Sequence, residues 1–479
     1  MAMKDLKEYR EEIFRRADAR LKKRKTVRRR VLFVCLPLLL CGVIVGSVLL
    51  RPYLTGRGVV DTPKADAWAS ARLISVRSAG EGLLPTEVVD LTAGVKKEPR
   101  TTPVDLTAGN AAAADFAVRL LRAANRQAEN TLLSPLSVLT ALCMIANGAA
   151  GETKAQMAAA LGMSAEEWND HMAAVRALLV STDDVTLEIF NSLWIDGRDD
   201  FAVDADFLQN NADCYGADAF FVPEDRSMVG EINAWVSEKT DGRITDIADE
   251  ADGRMWLSLV STLFFEADWS EEWASVEEGD FICADGSVKT VDMMVSGAAE
   301  RVASADGSIA GFVRYYGDGA YAFMALTPCW SDYEGAPYYR NVQEMAAALT
   351  GEQLTAIWQS RDQSSDAFTV FMPKFSVACE LSLKKALSAM GMSLAFDGSR
   401  ADFSGVGRFG ERDTHEIGEV RQKTTLTADV NGTVGSAGTQ ITMSDGNQDI
   451  ILNRPFLYMI VHVETGVPIF AGTVMDPTA

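Results

Sequence analysis

The sequence offers few side chains of the kinds that perform catalysis or hold metal ions. It has three histidines, at positions 171, 415 and 462, and seven cysteines that lie far apart, at positions 35, 41, 143, 214, 283, 329 and 379. These spacings match neither a metal site nor a disulfide framework. A serine nucleophile needs a histidine and an acid to activate it, and none is placed to serve Ser444. We therefore predict that the protein is not an enzyme and holds neither a metal nor a cofactor.

A stretch near the C-terminus, from Ala428 to Phe456, has an unusual pattern. From Thr433 onward its residues alternate with the strand period of two: one set is small and then apolar as far as Met443, and the other is mostly polar. One buried face would suit a sheet, but the glycine and serine content disfavours a permanent strand. Two interpretations remain open: a segment that can enter a sheet but need not do so, and a flexible surface loop before a C-terminal hairpin.

Charge is distributed unevenly along the chain. The net charge is -22, yet residues 1–30 carry thirteen Lys and Arg against five Asp and Glu, which leaves -30 on the remainder. The residues after position 30 therefore carry a large negative charge that repels polyanions. This argues against nucleic acid and anionic polysaccharide as partners.

The segment Val31–Leu50 contains twenty residues without a charge. A helix of this length spans roughly 30 Å, the thickness of bilayer hydrocarbon. Basic residues crowd its N-terminal side, so the N-terminus should stay in the cytoplasm and the rest of the chain outside it. A cleaved signal peptide normally has a shorter apolar region, and a lipoprotein site at Cys41 would follow a small residue rather than Leu40. We therefore expect an uncleaved, single-pass anchor in the cell membrane.

These features divide the chain into four parts: a basic cytoplasmic segment (1–30), a transmembrane signal anchor (31–50), an extracytoplasmic stalk (51–109) and one long globular region (110–479). Within the stalk, the hexapeptide Val-Asp-Leu-Thr-Ala-Gly occurs at 89–94 and again at 104–109. Two copies are too few for a repeat architecture.

The globular region mixes helical and strand patterns. Apolar residues at helical spacing predict helices over Asn110–Arg126, Leu136–Ala150 and Leu381–Met390, with a third helix of the N-terminal group passing through Met157 and Leu161. Buried strands are predicted over Trp256–Phe265 and Thr369–Phe375, and a closing strand pair over Phe456–Val463 and Pro468–Val474. Helices followed by interleaved strands are typical of the α+β class.

Several short motifs in this region occur together in one protein family. They are Asn130-Thr-Leu-Leu-Ser134-Pro135-Leu-Ser137, Gly148-Ala-Ala-Gly151-Glu-Thr153, Ile232-Asn233-Ala-Trp235-Val236 with Thr240-Asp-Gly242-Arg-Ile244, Phe264-Phe265-Glu-Ala-Asp-Trp269, Met372-Pro373-Lys374-Phe375, Ala401-Asp402-Phe403-Ser404-Gly405, Arg454-Pro455-Phe456 and Phe470-Ala471-Gly472. In this order, over about 370 residues, they resemble the serpins.

The resemblance implies a metastable fold of three β-sheets and eight or nine helices with an exposed reactive-centre loop. A serine or possibly cysteine peptidase cuts this loop, which then inserts into the large sheet and traps the acyl-enzyme. The loop hinge of inhibitory members matches Gly432, Thr433, Val434, Gly435, Ser436, Ala437, Gly438 and Thr439. No bulky or charged residue occupies the inward side from Thr433 to Met443, so the resemblance implies a suicide-substrate inhibitor. The alternative is a non-inhibitory member whose loop is only cut.

The sequence departs from the family pattern at the base of the loop. Val430 stands where the family has Glu, and Gln422 precedes Lys423 where a His is common. The loop is also about two residues shorter than in well-known members of the family. The bond that is cut can therefore lie at any of several residues: Met443, Ser444, Asp445, Gly446 and Asn447. Burial of the Asp445 carboxylate would be unfavourable, so insertion should stop near Met443, which favours cutting at Ser444–Gly446.

The nature of the bait suggests the partners. A bond after Met443 would suit elastase- or subtilisin-like peptidases, whereas one after Asp445 would suit an acid-preferring peptidase. Some relatives carry a basic cofactor helix where this chain has Glu166–Ser181, which is not basic. A heparin-type cofactor is therefore not expected, and we expect a monomer.

Overall fold

The computed structural model describes residues 73–75, 87–93, 95–97, 104–125, 128–196, 202–248, 256–329, 336–361, 368–408, 416–418, 420–430 and 449–479. By its contacts the chain divides into two units, Met1–Val60 and Asp61–Ala479, and every described residue belongs to the second. The expected membrane anchor and the sequence-predicted loop hinge and bait, which fall within 431–448, lie outside the described residues. Within them, no helix is long and apolar enough to cross a bilayer.

Nine α-helices form within the described ranges: α1 (Thr107–Ala124), α2 (Pro135–Ala146), α3 (Gly151–Leu161), α4 (Ala165–Leu178), α5 (Ala205–Tyr215), α6 (Met228–Lys239), α7 (Val342–Ala348), α8 (Gly351–Gln359) and α9 (Lys384–Leu387). A π-helical turn (Ser388–Met392) and a 3-10 turn (Leu394–Phe396) follow α9. The expected number of helices is confirmed.

The described part of the chain also contains nineteen strands: β1 (Leu73–Ser75), β2 (Val89–Asp90), β3 (Thr131–Leu133), β4 (Val185–Asp196), β5 (Ala202–Asp204), β6 (Asp218–Val222), β7 (Leu257–Ala267), β8 (Ser275–Ile282), β9 (Val288–Ser296), β10 (Glu300–Ala303), β11 (Ile309–Tyr316), β12 (Tyr321–Pro328), β13 (Val370–Pro373), β14 (Phe375–Ser382), β15 (Gly407–Arg408), β16 (Arg421–Ala428), β17 (Ile450–Ile451), β18 (Phe456–His462) and β19 (Pro468–Val474).

Hydrogen bonding groups these strands into five sheets rather than the expected three. A six-stranded sheet has the order β10-β11-β12-β18-β19-β3, and a four-stranded sheet has the order β17-β13-β9-β8. The largest layer consists of two separately bonded parts, β2-β6-β4-β7 and β14-β16. The strands β1, β5 and β15 make a small fifth sheet. The sequence patterns do not predict β1 and β2, which come from the stretch interpreted as a stalk.

Local sequence explains where the main helices begin. Before α2, the Ser134 hydroxyl accepts a hydrogen bond from the Ser137 amide, and Pro135 takes the first helical position, where its missing N–H is harmless. Before α4, Ser164 and Glu167 form a reciprocal capping box.

The helix predicted over Leu381–Met390 begins later than the apolar spacing indicates. Leu381 and Ser382 are still paired with β16, and the burial of β14 alternates strictly along its length. The helix starts at Lys384 and passes Gly391 with a φ of 108°. Because neighbouring strands supply backbone partners, sheet pairing overrides the helical pattern here.

A histidine is buried where two of these helices meet. His171 on α4 is 2% exposed, and its Nδ1 has no hydrogen-bond partner among the described residues. A Cβ at Gly109 of α1 would lie 2.1 Å from the ring, so the close approach requires glycine. Burial lowers the pKa of His171 to about 4, so the ring is neutral in the folded protein at neutral pH.

This burial predicts sensitivity to acid. The unfolded chain takes up a proton at His171 below pH 6.5, whereas the folded protein does so only near pH 4. The contribution of His171 to the free energy of unfolding is therefore fully present above pH 6.5. It is lost as the pH falls towards 4, and the loss amounts to about 3 kcal/mol at most. His171→Phe should flatten urea-unfolding midpoints between pH 7 and 4.5. An equally steep loss of stability in the variant would contradict this.

Candidate functional site: a seam in the largest sheet

The largest sheet layer is interrupted between β7 and β16. No backbone hydrogen bond joins these two strands within the described ranges, and each is bonded only to its other neighbour, β7 to β4 and β16 to β14. A cavity of about 100 Å³ separates them, lined by residues 257–263 of β7, residues 421–424 of β16, α2 and the segment after α6. We call this interruption the seam.

Two tryptophan side chains bridge the seam, one near each end. The indole N–H of Trp256, just before β7, donates to the carbonyl of Glu416 at 2.7 Å. The indole N–H of Trp269, just after β7, donates to the carbonyl of Asp429 at 2.7 Å. In both contacts the two residues are 160 positions apart in sequence. The strands β7 and β16 therefore run parallel with a constant register. The edges face each other without bonding to each other directly.

This geometry specifies what the seam can accept. The chain leaves β16 at Ala428, beside Asp429 and the Trp269 bridge. If it turned back, it would run antiparallel to β16 and also to β7, so it could bond to both edges at once. The strand β7 has eleven residues, the number from Thr433 to Met443. The seam therefore fits the segment that follows it in sequence.

At the middle of the seam, an uncharged side chain fixes β16 to the helix beneath it. Gln422 is 7% exposed; its amide nitrogen donates to the carbonyl of Ser134 at 3.0 Å, and its amide oxygen accepts from the Ser134 N–H at 2.8 Å. Across the seam, the hydroxyl of Ser261 on β7 is buried without a hydrogen-bond partner in the described part of the chain. Gln422 thus fixes β16 to the start of α2 and leaves β7 unattached at this level.

At the upper end, Trp269 is held by aromatic and cationic neighbours. It stacks on Tyr316 with ring centroids 4.5 Å apart, and the Arg314 guanidinium lies 5.4 Å from its ring and 4.1 Å from that of Trp273. Arg314 is 2% exposed and also donates to the carbonyls of Ala298 and Glu271. Burial lowers the pKa of Arg314 to about 10, so it remains a cation at neutral pH. Val430, next to this end, packs against the apolar core.

One wall of the seam is formed by the segment that follows α6. Ile244, Ile247 and Ala248 of this segment line the cavity. Lys423 of β16 makes an ion pair with Asp246 at 3.3 Å, a half-exposed contact that adds little stability. The helix itself is held by a small apolar cluster of Trp194, Val222, Ile232, Trp235, Val236 and Val260. A strand can occupy the seam only if this wall moves.

Comparison with known proteins identifies the family. The model of the family described as serpin (serine protease inhibitor) matches residues 111–477. The chain belongs to the serpin family. Serpin A9 of Homo sapiens is 29% identical over 385 residues, which cover 76% of this chain and 88% of that protein.

Solved serpins show the same fold. Tengpin, a thermophilic serpin, is 32% identical; its native-state structure has a TM-score of 0.71 and covers 82% of this chain and 100% of its own. Its latent-state structure has a TM-score of 0.65 and covers 78% and 99%. Human thyroxine-binding globulin, solved with thyroxine bound, is 22% identical with a TM-score of 0.64, covers 78% of this chain and 100% of its own, and shares the fold.

The structure places the sequence motifs around the seam. Trp235 and Phe403 are buried core residues, as expected, whereas Trp269 also bridges the seam. Lys374 makes an ion pair with Asp292 at 2.9 Å, which fits a structural role. Sequence reasoning missed the bridging role of Trp256 and Trp269. Their position at the two ends of a predicted buried strand was the available signal.

The Trp269 bridge predicts a local change when its donor is removed. Trp269→Phe keeps an aromatic ring but loses the hydrogen bond to Asp429, so backbone amides near 428–430 should exchange with solvent about five- to tenfold faster. Hydrogen exchange measured by mass spectrometry checks this. Trp273→Phe is the control, because the Trp273 indole N–H is buried without a partner within the described residues. Equal exchange in both variants would refute the bridge.

Proposed function

We propose that this serpin inhibits serine or cysteine peptidases as a suicide substrate. The observation that carries the proposal is the seam: two parallel, unbonded edges that can accept one antiparallel strand, beside the point where the chain leaves β16. The segment Thr433–Met443 has the length and the small, uncharged inward face that such a strand needs.

Insertion would release substantial free energy. Each inserted residue can bond to β7 or β16, with a net stabilisation of about 1 kcal/mol per hydrogen bond. Over the eleven residues from Thr433 to Met443 this amounts to roughly 10 kcal/mol, comparable with the 5–15 kcal/mol that keeps a whole domain folded. That is enough to distort an attached peptidase.

The covalent chemistry belongs to the peptidase. Its nucleophile attacks the carbonyl carbon of the bait residue and forms an acyl-enzyme, while the peptide nitrogen takes a proton and becomes a new N-terminus. The released end remains part of the inhibitor, because every residue of β18 and β19 is buried in the six-stranded sheet. Asn130 fixes the chain end further by accepting hydrogen bonds from the amides of Met475 and Asp476. The C-terminal strands can therefore stay in place while the loop inserts.

We propose that the bait, the residue whose carbonyl carbon the peptidase attacks, is one of the residues Met443–Asn447. Asp445 has the inward parity, and a carboxylate inside the sheet would be unfavourable by several kcal/mol. We propose that insertion stops near Met443 and that the bond cut lies between Ser444 and Asn447. Elastase- and subtilisin-like peptidases are the proposed targets.

The decisive experiment incubates the protein with subtilisin, elastase and trypsin. We expect an SDS-stable adduct and a C-terminal fragment beginning at Asp445, Gly446 or Asn447 by mass spectrometry. Thr433→Arg should abolish the adduct and leave only cleavage, because a guanidinium would have to enter the sheet interior. Val434→Arg, with the opposite parity, should retain it. If no peptidase forms an adduct and cleaved protein melts no higher than intact protein, the proposal is wrong.

A non-inhibitory ligand carrier is the second candidate. A cavity of about 320 Å³ lies between α1, α8 and the six-stranded sheet, lined by Asn110, Met324, Trp358 and Pro468 among others. Thyroxine-binding globulin, of the same fold, was solved with a small aromatic ligand, thyroxine. A rise in melting temperature with such ligands, together with no peptidase adduct, would favour this function.

We also propose that Val31–Leu50 anchors the protein in the cell membrane, with residues 1–30 in the cytoplasm and the serpin domain outside. The support is its length, its lack of charge and the basic segment before it. The full chain should sediment with membranes, resist extraction by high salt and dissolve in detergent. A chain that begins at residue 51 should remain in the supernatant. Release of the full chain by salt alone would contradict the anchor.

A further inference from the structure

A segment from before the matched serpin region completes the largest sheet. The strand β2 pairs antiparallel with β6, with Val89 opposite Phe221 and Asp90 opposite Phe220. The next amide, that of Leu91, donates to the carbonyl of Ala219 at 2.7 Å. Without β2, the strand β6 would be the edge of this part of the sheet, and exposed edges readily pair with other chains.

Alternate residues of this segment enter different apolar clusters. Val88 packs against the cluster that holds α6 on the sheet. Val89 packs against the main core on the other face, and Leu91, which is 4% exposed, belongs to that core. A strand with its side chains on both faces thus joins the attachment of α6 to the body of the domain.

Polar contacts fasten both ends of the docked segment. The Asp90 carboxylate accepts hydrogen bonds from the Thr92 amide at 2.9 Å and hydroxyl at 2.7 Å, which forms a tight turn. Further along, Lys97 contacts one oxygen of Asp218 at 2.6 Å, and Lys239 at the end of α6 contacts the other at 3.4 Å. One carboxylate therefore connects the docked segment to α6, the helix that precedes the wall of the seam.

The second copy of the hexapeptide has another environment. At 104–109 it leads into α1, where the Asp105 carboxylate accepts a hydrogen bond from the Thr107 amide at 2.9 Å. In the first copy Val89 and Asp90 form an added strand, whereas the second copy leads into a helix, so docking on β6 depends on the site as well as the sequence.

We propose that the outer edge of β6 is a strand-addition site for an extended peptide of the type Val-Val-Asp-Leu-Thr. The chain's own residues 88–92 occupy it, and their docking, with the Lys97–Asp218–Lys239 contact, holds α6 on the sheet together with the segment after α6 that lines the seam, and so slows entry of the loop. The effect on loop entry rests on the proposed function, whereas the strand-addition site does not.

The test uses the full chain in detergent and a fluorescein-labelled peptide of residues 87–97. Leu91→Asp places a charge in the core position and should release the segment. The peptide should then bind the variant but not the unmodified protein, in which the site is filled. A peptide with the same Leu-to-Asp change is the control ligand. Failure of the peptide to bind a folded variant, as judged by circular dichroism, would overturn the site.

A second measurement follows α6 itself. In Leu91→Asp and in Asp218→Asn, amides of Met228–Lys239 should exchange roughly tenfold faster or more, and added peptide should restore protection in Leu91→Asp. Asp90→Ala should act in the same direction. Asp105→Ala, the same substitution in the other hexapeptide, should leave α6 unchanged. Unchanged exchange in both Leu91→Asp and Asp218→Asn, or an equal effect of Asp105→Ala, would overturn the connection to α6.

The third measurement is the rate at which uncleaved protein loses its capacity to trap subtilisin on warming. We expect a loss about tenfold faster in Leu91→Asp than in the unmodified protein. An unaltered rate, despite peptide binding and faster exchange, would refute the effect on loop entry. If the unmodified protein never forms an adduct, the proposed function fails, yet peptide binding and α6 exchange still decide the strand-addition site.

Discussion

Two sheet edges that face each other without bonding to each other are the constraint on which the structure depends. Backbone N–H and C=O groups that lack partners are unfavourable when buried, so adjacent strands normally close together. Here α2 lies on one side of the gap, the segment that follows α6 lies on the other, and indole bridges from Trp256 and Trp269 hold the ends. The surrounding elements keep the sheet divided. Under the proposed function, an inserted strand would form the missing hydrogen bonds and so release free energy.

The contacts around the seam rely little on exposed charge. Gln422 fixes the centre of β16 to α2 through two amide hydrogen bonds, and Val430 packs against the core. Arg314, a cation beside Trp269, is buried among aromatic rings and backbone carbonyls. Neither Gln422 nor Val430 changes protonation with pH, so the contacts at these two positions do not depend on proton concentration. Buried contacts are also screened little by salt.

The sequence predicted those parts of the fold that local pattern determines. The strand over Trp256–Phe265 and the closing pair after Phe456 follow from continuous apolar runs, and α2 follows from its cap and proline. The helix start at Lys384 was misjudged because the pairing of Leu381 with Gln422 depends on a strand forty residues away. The division of the large sheet could not be predicted at all. It depends on which strands do not pair, and sequence period reports only which residues are buried.

The docking of β2 could not be predicted from the sequence, for a related reason. Val88, Val89 and Leu91 look like a short apolar patch in a polar stretch, and their partners on β6 and α6 are more than a hundred residues distant. Even the hexapeptide repeat was not informative by itself, because its two copies adopt different structures. The loop hinge and the bait were assigned from motif resemblance.

The order of the six-stranded sheet has a consequence for how the molecule is made. Its strands run β10-β11-β12-β18-β19-β3, so the two final strands of the chain lie between partners formed much earlier. During synthesis, β12 and β3 lack these neighbours, and their apolar faces stay uncovered, until residues 456–474 have left the ribosome. The six-stranded sheet therefore closes only after that segment has emerged, and a nascent chain stalled before Phe456 would expose its interior to chaperones and proteases.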